Sequence, residues 1–205
     1  AAAGLGILAI AYGSWQAFRA ERLKLLVAYS TVAQLGYLFL LFPLLGGGPT
    51  ALAAGVMQVV AHALAKAGLF AAAGVAVLAT GRDRVASLSA LSGRLPLTWF
   101  AFGFSGVTLM GLPPSGGFLA KWLLIDAAVD SGRWPLIAAV IAGGLLAALY
   151  VFRIFARGYR PRPETPPAEV PRTLEWIAFG LAAAGFAVGM EAGLIAALLE
   201  HTGAP

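Results

Sequence analysis

Three side chains able to hold or pass a proton stand four residues apart in an apolar run: Gln58, His62 and Lys66. At the helical spacing i, i+4, i+8 they share one face, with neighbours about 6 Å apart. Imidazole accepts and donates protons near neutral pH. Arginine keeps its proton in every protein environment, whereas a buried lysine readily changes state. A Lys–His ladder in hydrocarbon is what a proton wire requires. Lys66 lies near the middle of its span, and a charge there costs at least about 3 kcal/mol. The competing reading is a polar stripe that seals helix packing, with Lys66 bonded to a carbonyl.

A second constellation is Gly111-Leu112-Pro113-Pro114-Ser115-Gly116-Gly117, followed by Lys121 among Phe118, Trp122 and Leu123. The apolar stretch Leu97–Val129 around it has 33 residues. As a straight helix that is about 50 Å, against a hydrocarbon layer of about 30 Å. Two prolines remove two amide donors and clash with the preceding turn, and glycines tolerate the irregular backbone. The expectation is two half-helices joined by an unwound centre. Irregular backbone at membrane depth survives only where protein or water covers it, and broken helices recur in ion-coupled transporters. The competing reading is a proline kink with Lys121 paired to an acid such as Asp126.

Other polar points carry less. Lys24 starts a span that continues through Tyr29, Ser30 and Gln34, and a terminal lysine usually snorkels to the interface. Arg153 reads the same way. Glu191 has no partner in the sequence around it, and Asp126 and Asp130 approach the far interface. Gly46-Gly47-Gly48 lacks a following Lys-Ser/Thr and reads as a turn, not a nucleotide loop. The chain has no cysteine, which excludes disulfides and thiolate metal sites, and His62 and His201 lie too far apart to suggest a metal centre.

The elements that must position these groups follow from composition. Hydrophobic residues make up 60% of the chain and charged ones 11%, where a soluble domain carries roughly 25% charged. Mean hydropathy is +0.85. Lipid is the solvent that fits. Segments of about 20 apolar residues can span a bilayer. Six qualify, at about Ala1–Phe18, Leu23–Leu45, Thr50–Thr80, Leu97–Val129, Pro135–Phe155 and Leu174–Leu199. Leu, Ala and Gly dominate and the period-2 alternation of a barrel is missing. The expected fold is an all-α integral membrane bundle over residues 1–205, with about six transmembrane helices, one broken at Gly111–Gly117. Residues 157–172 contain Pro161, Pro163, Pro166, Pro167 and Pro171 and read as a cytoplasmic linker that cannot be helix. The chain opens in apolar sequence without Met or basic leader, as a fragment does.

Charge placement orients the bundle. Assigning the joints around 19–22, 82–94 and 157–172 to one side puts nine arginines there, against Arg133 alone opposite. By the positive-inside rule those joints are cytoplasmic. The net charge of +5 is therefore a topology signal, and nucleic-acid binding is excluded because no basic face of a folded soluble domain is present. All three lysines sit in or at the edge of apolar helices, and the loop cations are arginines.

Three segments resemble the antiporter-like membrane subunits of respiratory complex I and of Mrp-type cation/proton antiporters. Lys24 to Thr31 with Gln34, Gly36 and Tyr37 is similar to the family helix D-x-K-R-x-x-A-Y-S-[ST]-x-x-Q-x-G-Y. His62 to Phe70 is similar to H-A-x-x-K-A-x-L-F. Gly111 to Lys121 is similar to the broken helix G-x-P-P-x-x-G-F-x-x-K. Order and spacing agree across about residues 20–157. Arg22 stands where the family has Asp, and Leu25 where it has Arg. The resemblance implies a second inverted repeat of a longer subunit in a prokaryotic-type inner membrane. It implies Lys66 or Lys24 as central lysine, Lys121 as broken-helix lysine toward the outer side, and His62 linking them. It implies partner membrane subunits, lipid, and protons or Na⁺ as cargo. Redox chemistry would belong to other subunits, and no cofactor signature lies in this chain.

Coulomb coupling is strong in low dielectric, so one lysine can displace its neighbour's proton. Alternatives are a stand-alone secondary transporter of a small solute, and a structural membrane subunit of a hydrogenase-like complex.

Overall fold

Runs of leucine and alanine, punctuated by proline and glycine, set the helix ends. The computed structural model describes residues 1–89, 91–160, 168–191 and 193. Within them the chain forms α1 (Ala2–Arg19), α2 (Leu23–Leu41), α3 (Pro49–Thr80), α4 (Pro96–Met110), α5 (Gly116–Asp130), α6 (Trp134–Gly158) and α7 (Arg172–Ala187). Proline stands in the first turn of α3, α4 and α6, where its missing N–H costs nothing. Gly81 and Gly111, at φ 66° and 79°, stop α3 and α4, a left-handed conformation that glycine adopts freely.

The fold is all-helical and membrane-embedded. Four stretches are long and apolar enough to cross a membrane by length and composition alone: Leu23–Leu44, Pro49–Thr80, Trp134–Gly158 and Arg172–Met190. α4 and α5 cross as one broken pass. Large apolar side chains such as Leu8, Leu145, Leu149 and Phe152 face outward, as lipid-facing positions do.

Three sequence boundaries are corrected. The span expected to Leu45 leaves the α-helix at Leu41 and closes in a 3-10 turn, Phe42–Leu44, because Pro43 supplies no amide donor. The linker expected over 157–172 is shorter: Arg157 and Gly158 finish α6, and Arg172 opens α7. Its residues 161–167 lie outside the described residues. The last span leaves the α-helix at Ala187 and tightens into a 3-10 turn, Val188–Met190. Its part from 194 to 199, and His201, lie outside the described residues.

Contacts gather the three Arg-rich joints at one end. Arg22 Nε pairs with Asp83 Oδ2 at 3.2 Å, Val85 N–H donates to Glu21 O at 2.8 Å, and Ser92 Oγ donates to Gly158 O at 3.1 Å. Arg153 Nη1 donates to Phe18 O and, at 2.8 Å, to Ala20 O, so it caps the end of α1.

α1 and α2 approach most closely through glycines. A Cβ at Gly36 would lie 2.6 Å from Gly6 O, and one at Gly6 would lie 2.7 Å from Gly36 O. Small residues permit such backbone contact between membrane helices. Gly36→Leu is expected to destabilise by about 1–3 kcal/mol, read as earlier thermal unfolding in detergent.

Two apolar clusters stack along the helix axes. One, toward the Arg-rich end, contains Val27, Ala65, Leu69, Phe102, Leu109 and Tyr150. The other contains Tyr37, Met57, Ala120, Leu124 and Val140. On α2 and α3 the polar residues Ser30, Gln34, Gln58 and His62 fall where one cluster gives way to the other, while Lys121 of α5 lies within the second.

Candidate functional site

The broken pass makes the first contribution. In a continuous helix the carbonyls of Leu109 and Met110 would bond the amides of residues 113 and 114. Both are prolines and have none. Leu109 O instead accepts from Lys121 Nζ at 2.7 Å and from Gln34 Nε2 at 2.9 Å. The carbonyl end of α4 also carries the negative pole of its dipole, aimed at the amine. Lys121 is buried, and its Nζ lies 4.8 Å from the centroid of the Tyr37 ring, within cation–π range.

The glycines around the break are there for space. A Cβ at Gly111 would meet the Lys121 side chain, 2.9 Å from Nζ. One at Gly116 would lie 2.9 Å from Ala61 Cβ, and one at Gly117 would collide with Thr108 O. Gly116 and Gly117, read from sequence as part of the break, form the first turn of α5. Ser115 caps that turn, accepting from Phe118 N–H at 3.2 Å.

α2 and α3 supply the rest. Lys66 is buried; its Nζ donates to Ser30 Oγ and to Val27 O at 2.7 Å. Gln58 Nε2 donates to Gln34 Oε1 at 3.2 Å. One buried series therefore runs Lys66, Ser30, then one helical turn to Gln34, then the Leu109 carbonyl and Lys121, with Gln58 as a branch. His62 is half-buried one turn from Lys66 and from Gln58, and within Coulombic reach of both lysines. Its Nδ1 and the hydroxyls of Tyr37 and Tyr150 are buried with no hydrogen-bond partner among the described residues. Such groups are where internal water is normally found.

Other candidates stand apart. Lys24 is exposed at the start of α2, where its backbone N–H donates to Asp83 Oδ1 at 3.0 Å. Tyr29 packs edge-on against Tyr12 at the bundle side. Glu191 and Asp126 are exposed, so the suggested Lys121–Asp126 pairing does not form: i+5 places Asp126 about 140° around the helix. Among the described residues no carboxylate pairs with either buried lysine, and none group as a metal site. A cavity of about 400 Å³ lies beside Lys121 between α5 and α6, lined by Gly111, Trp122, Ile125, Ile141 and Leu145 among others.

Sequence reasoning missed two acids. Asp83 reaches the α2 start from another joint, where the family motif carries its own Asp. Glu175 is buried against Thr98 of α4. A lone acid opening an apolar helix was the signal available for it.

The family model described as NADH:quinone oxidoreductase/Mrp antiporter, TM, matches residues 2–147. NADH-quinone oxidoreductase subunit N of Desulforudis audaxviator (strain MP104C) is 37% identical over 170 residues, 83% of this chain and 33% of that protein. F(420)H(2) dehydrogenase subunit N of Methanosarcina mazei is 32% identical over 169 residues, 78% of this chain and 34% of that protein. The chain spans about a third of the length of these curated relatives. Among solved structures, the Mrp complex from Dietzia sp. DQ12-45-1b aligns with TM-score 0.84 at 24% identity over 96% of this chain and 46% of that one, a likeness of fold. The archaeal membrane-bound sulfane sulfur reductase aligns with TM-score 0.79 at 29% identity, over 96% of this chain and 33% of that one.

Proposed function

Since this chain belongs to the NADH:quinone oxidoreductase/Mrp antiporter family of membrane subunits, we propose that it carries protons through a buried Lys–His relay as one membrane subunit of a larger assembly. The observation that carries this is the Leu109 carbonyl, which joins the Gln34 and Lys121 donors into one series with Lys66. The relay consists of Lys66, His62 and Lys121, supported by Ser30, Gln34 and Gln58. A carbonyl accepts from an ammonium and from a neutral amine alike. Each lysine can therefore change charge without losing its anchor, whereas a carboxylate partner would favour the charged ammonium.

The donor set favours H⁺ over Na⁺. Amines, imidazole and amides dominate, whereas hard cations prefer carboxylate and carbonyl oxygen. We place the Arg-rich end in the cytoplasm, following the arginine asymmetry. Lys24 stands at the surface end of the series, outside its buried part, with Tyr29 on the flank.

Proton translocation by the parent assembly in sealed vesicles tests the reading. Lys66→Ala is expected to abolish it. Lys24→Ala, at an exposed position, is expected to lower it much less. Intact flux in an assembled Lys66→Ala complex favours the competing reading, in which both lysines merely seal helix packing against carbonyls.

A further inference from the structure

Among the described residues one acidic side chain is buried: Glu175, 5% exposed in the first turn of α7. Its Oε2 accepts from Thr98 Oγ1 at 3.0 Å and from Thr98 N–H at 3.3 Å. The acid thus satisfies a free amide in the first turn of α4 and meets the positive end of that helix. A cavity of about 360 Å³ opens beside it at the Arg-rich end. Liquid water occupies about 30 Å³ per molecule, so the cavity admits several. The charged groups that face it are Arg94 from the joint before α4, Glu169 from the joint before α7, and Arg172 of α7 itself.

Inward from this point α4 presents a further polar position. Ser105 is seven residues beyond Thr98, hence on the same helix face. Its hydroxyl is fully buried and unpartnered among the described residues. One turn further lies Leu109, whose carbonyl holds Lys121.

We propose that Glu175 is the proton-exchanging carboxylate of an access path that runs along α4 from the Arg-rich end to Lys121. The inference rests on the relay reading of Lys121. A proton from water in the cavity binds the Glu175 carboxylate. It leaves through the Thr98 and Ser105 hydroxyls, with water between them, and arrives on the unprotonated Lys121 amine.

Glu175→Gln tests this, because the amide oxygen still accepts from Thr98 while the side chain can no longer exchange a proton. In the reconstituted assembly the variant is expected to keep wild-type thermal stability and lose proton flux. In the wild type, infrared difference spectra should show a protonated-carboxyl band that responds to pH on the Arg-rich side, and the variant should lack it. Wild-type flux in Glu175→Gln, or no such band in the wild type, overturns the proposal. Lys121→Met measured in parallel separates the two readings. Flux surviving in Lys121→Met removes the relay itself. Flux lost there but intact in Glu175→Gln removes only the access path.

Discussion

Lys121→Met, in the assembled complex, is expected to abolish proton flux while leaving the bundle as stable as before. Methionine matches the lysine stem in length and is apolar, and volume-conserving exchanges cost less than about 1.5 kcal/mol. No polar atom is orphaned by the change, since Leu109 O keeps its bond from Gln34 at 2.9 Å. Removing an unpaired buried charge is itself neutral or favourable. The loss is therefore functional: the series from Lys66 through Gln34 ends on a carbonyl, and a carbonyl cannot take up a proton and hand it on. The measurement is acidification of vesicles containing the variant, alongside its thermal unfolding in detergent. An assembled Lys121→Met complex that still pumps would end the relay reading.

Gly117→Val is expected to produce the largest loss of stability. Its Cβ would fall on the Thr108 carbonyl oxygen, and both partners are backbone, so no side-chain rotation relieves the clash. Overpacking that flexible neighbours can absorb costs about 1–3 kcal/mol, and this site sits at the upper end or above. Pushing α5 away from α4 also withdraws Lys121, four residues on, from Leu109 O. Both the unfolding temperature and proton flux should fall. Gly74→Ala is the control: nothing lies within 4 Å of its Cβ, and alanine is favoured over glycine in a helix interior by about 1 kcal/mol. Equal stability for Gly117→Val and Gly74→Ala would show that the close approach at the break is not what holds it.

Much of the fold was legible because lipid leaves the chain few choices. Apolar length and proline-glycine punctuation located the passes, and the Pro113-Pro114 pair announced the broken one. Helical spacing placed Gln58, His62 and Lys66 on one face. What spacing cannot convey is the partner across the helix interface. That Lys66 meets Ser30, and that Gln34 and Lys121 share a carbonyl, depends on how α2, α3 and α4 cross. The same gap explains Lys24: the motif around it is similar to the family's, yet its exposure follows from a position at the helix start. Glu175 and Asp83 escaped notice because acids near joints are usually solvated, and only the docking of a second helix or joint turns them inward.

The stacking of two apolar blocks has a further consequence. Ser30, Gln34, Gln58 and His62 lie between the two blocks on α2 and α3, whereas Tyr37 belongs to the second block and Tyr150 to the first. A seam of polar side chains between two apolar blocks is held by hydrogen bonds and not by interlocking apolar contacts, so it is the part of the bundle that accommodates solvent at least cost.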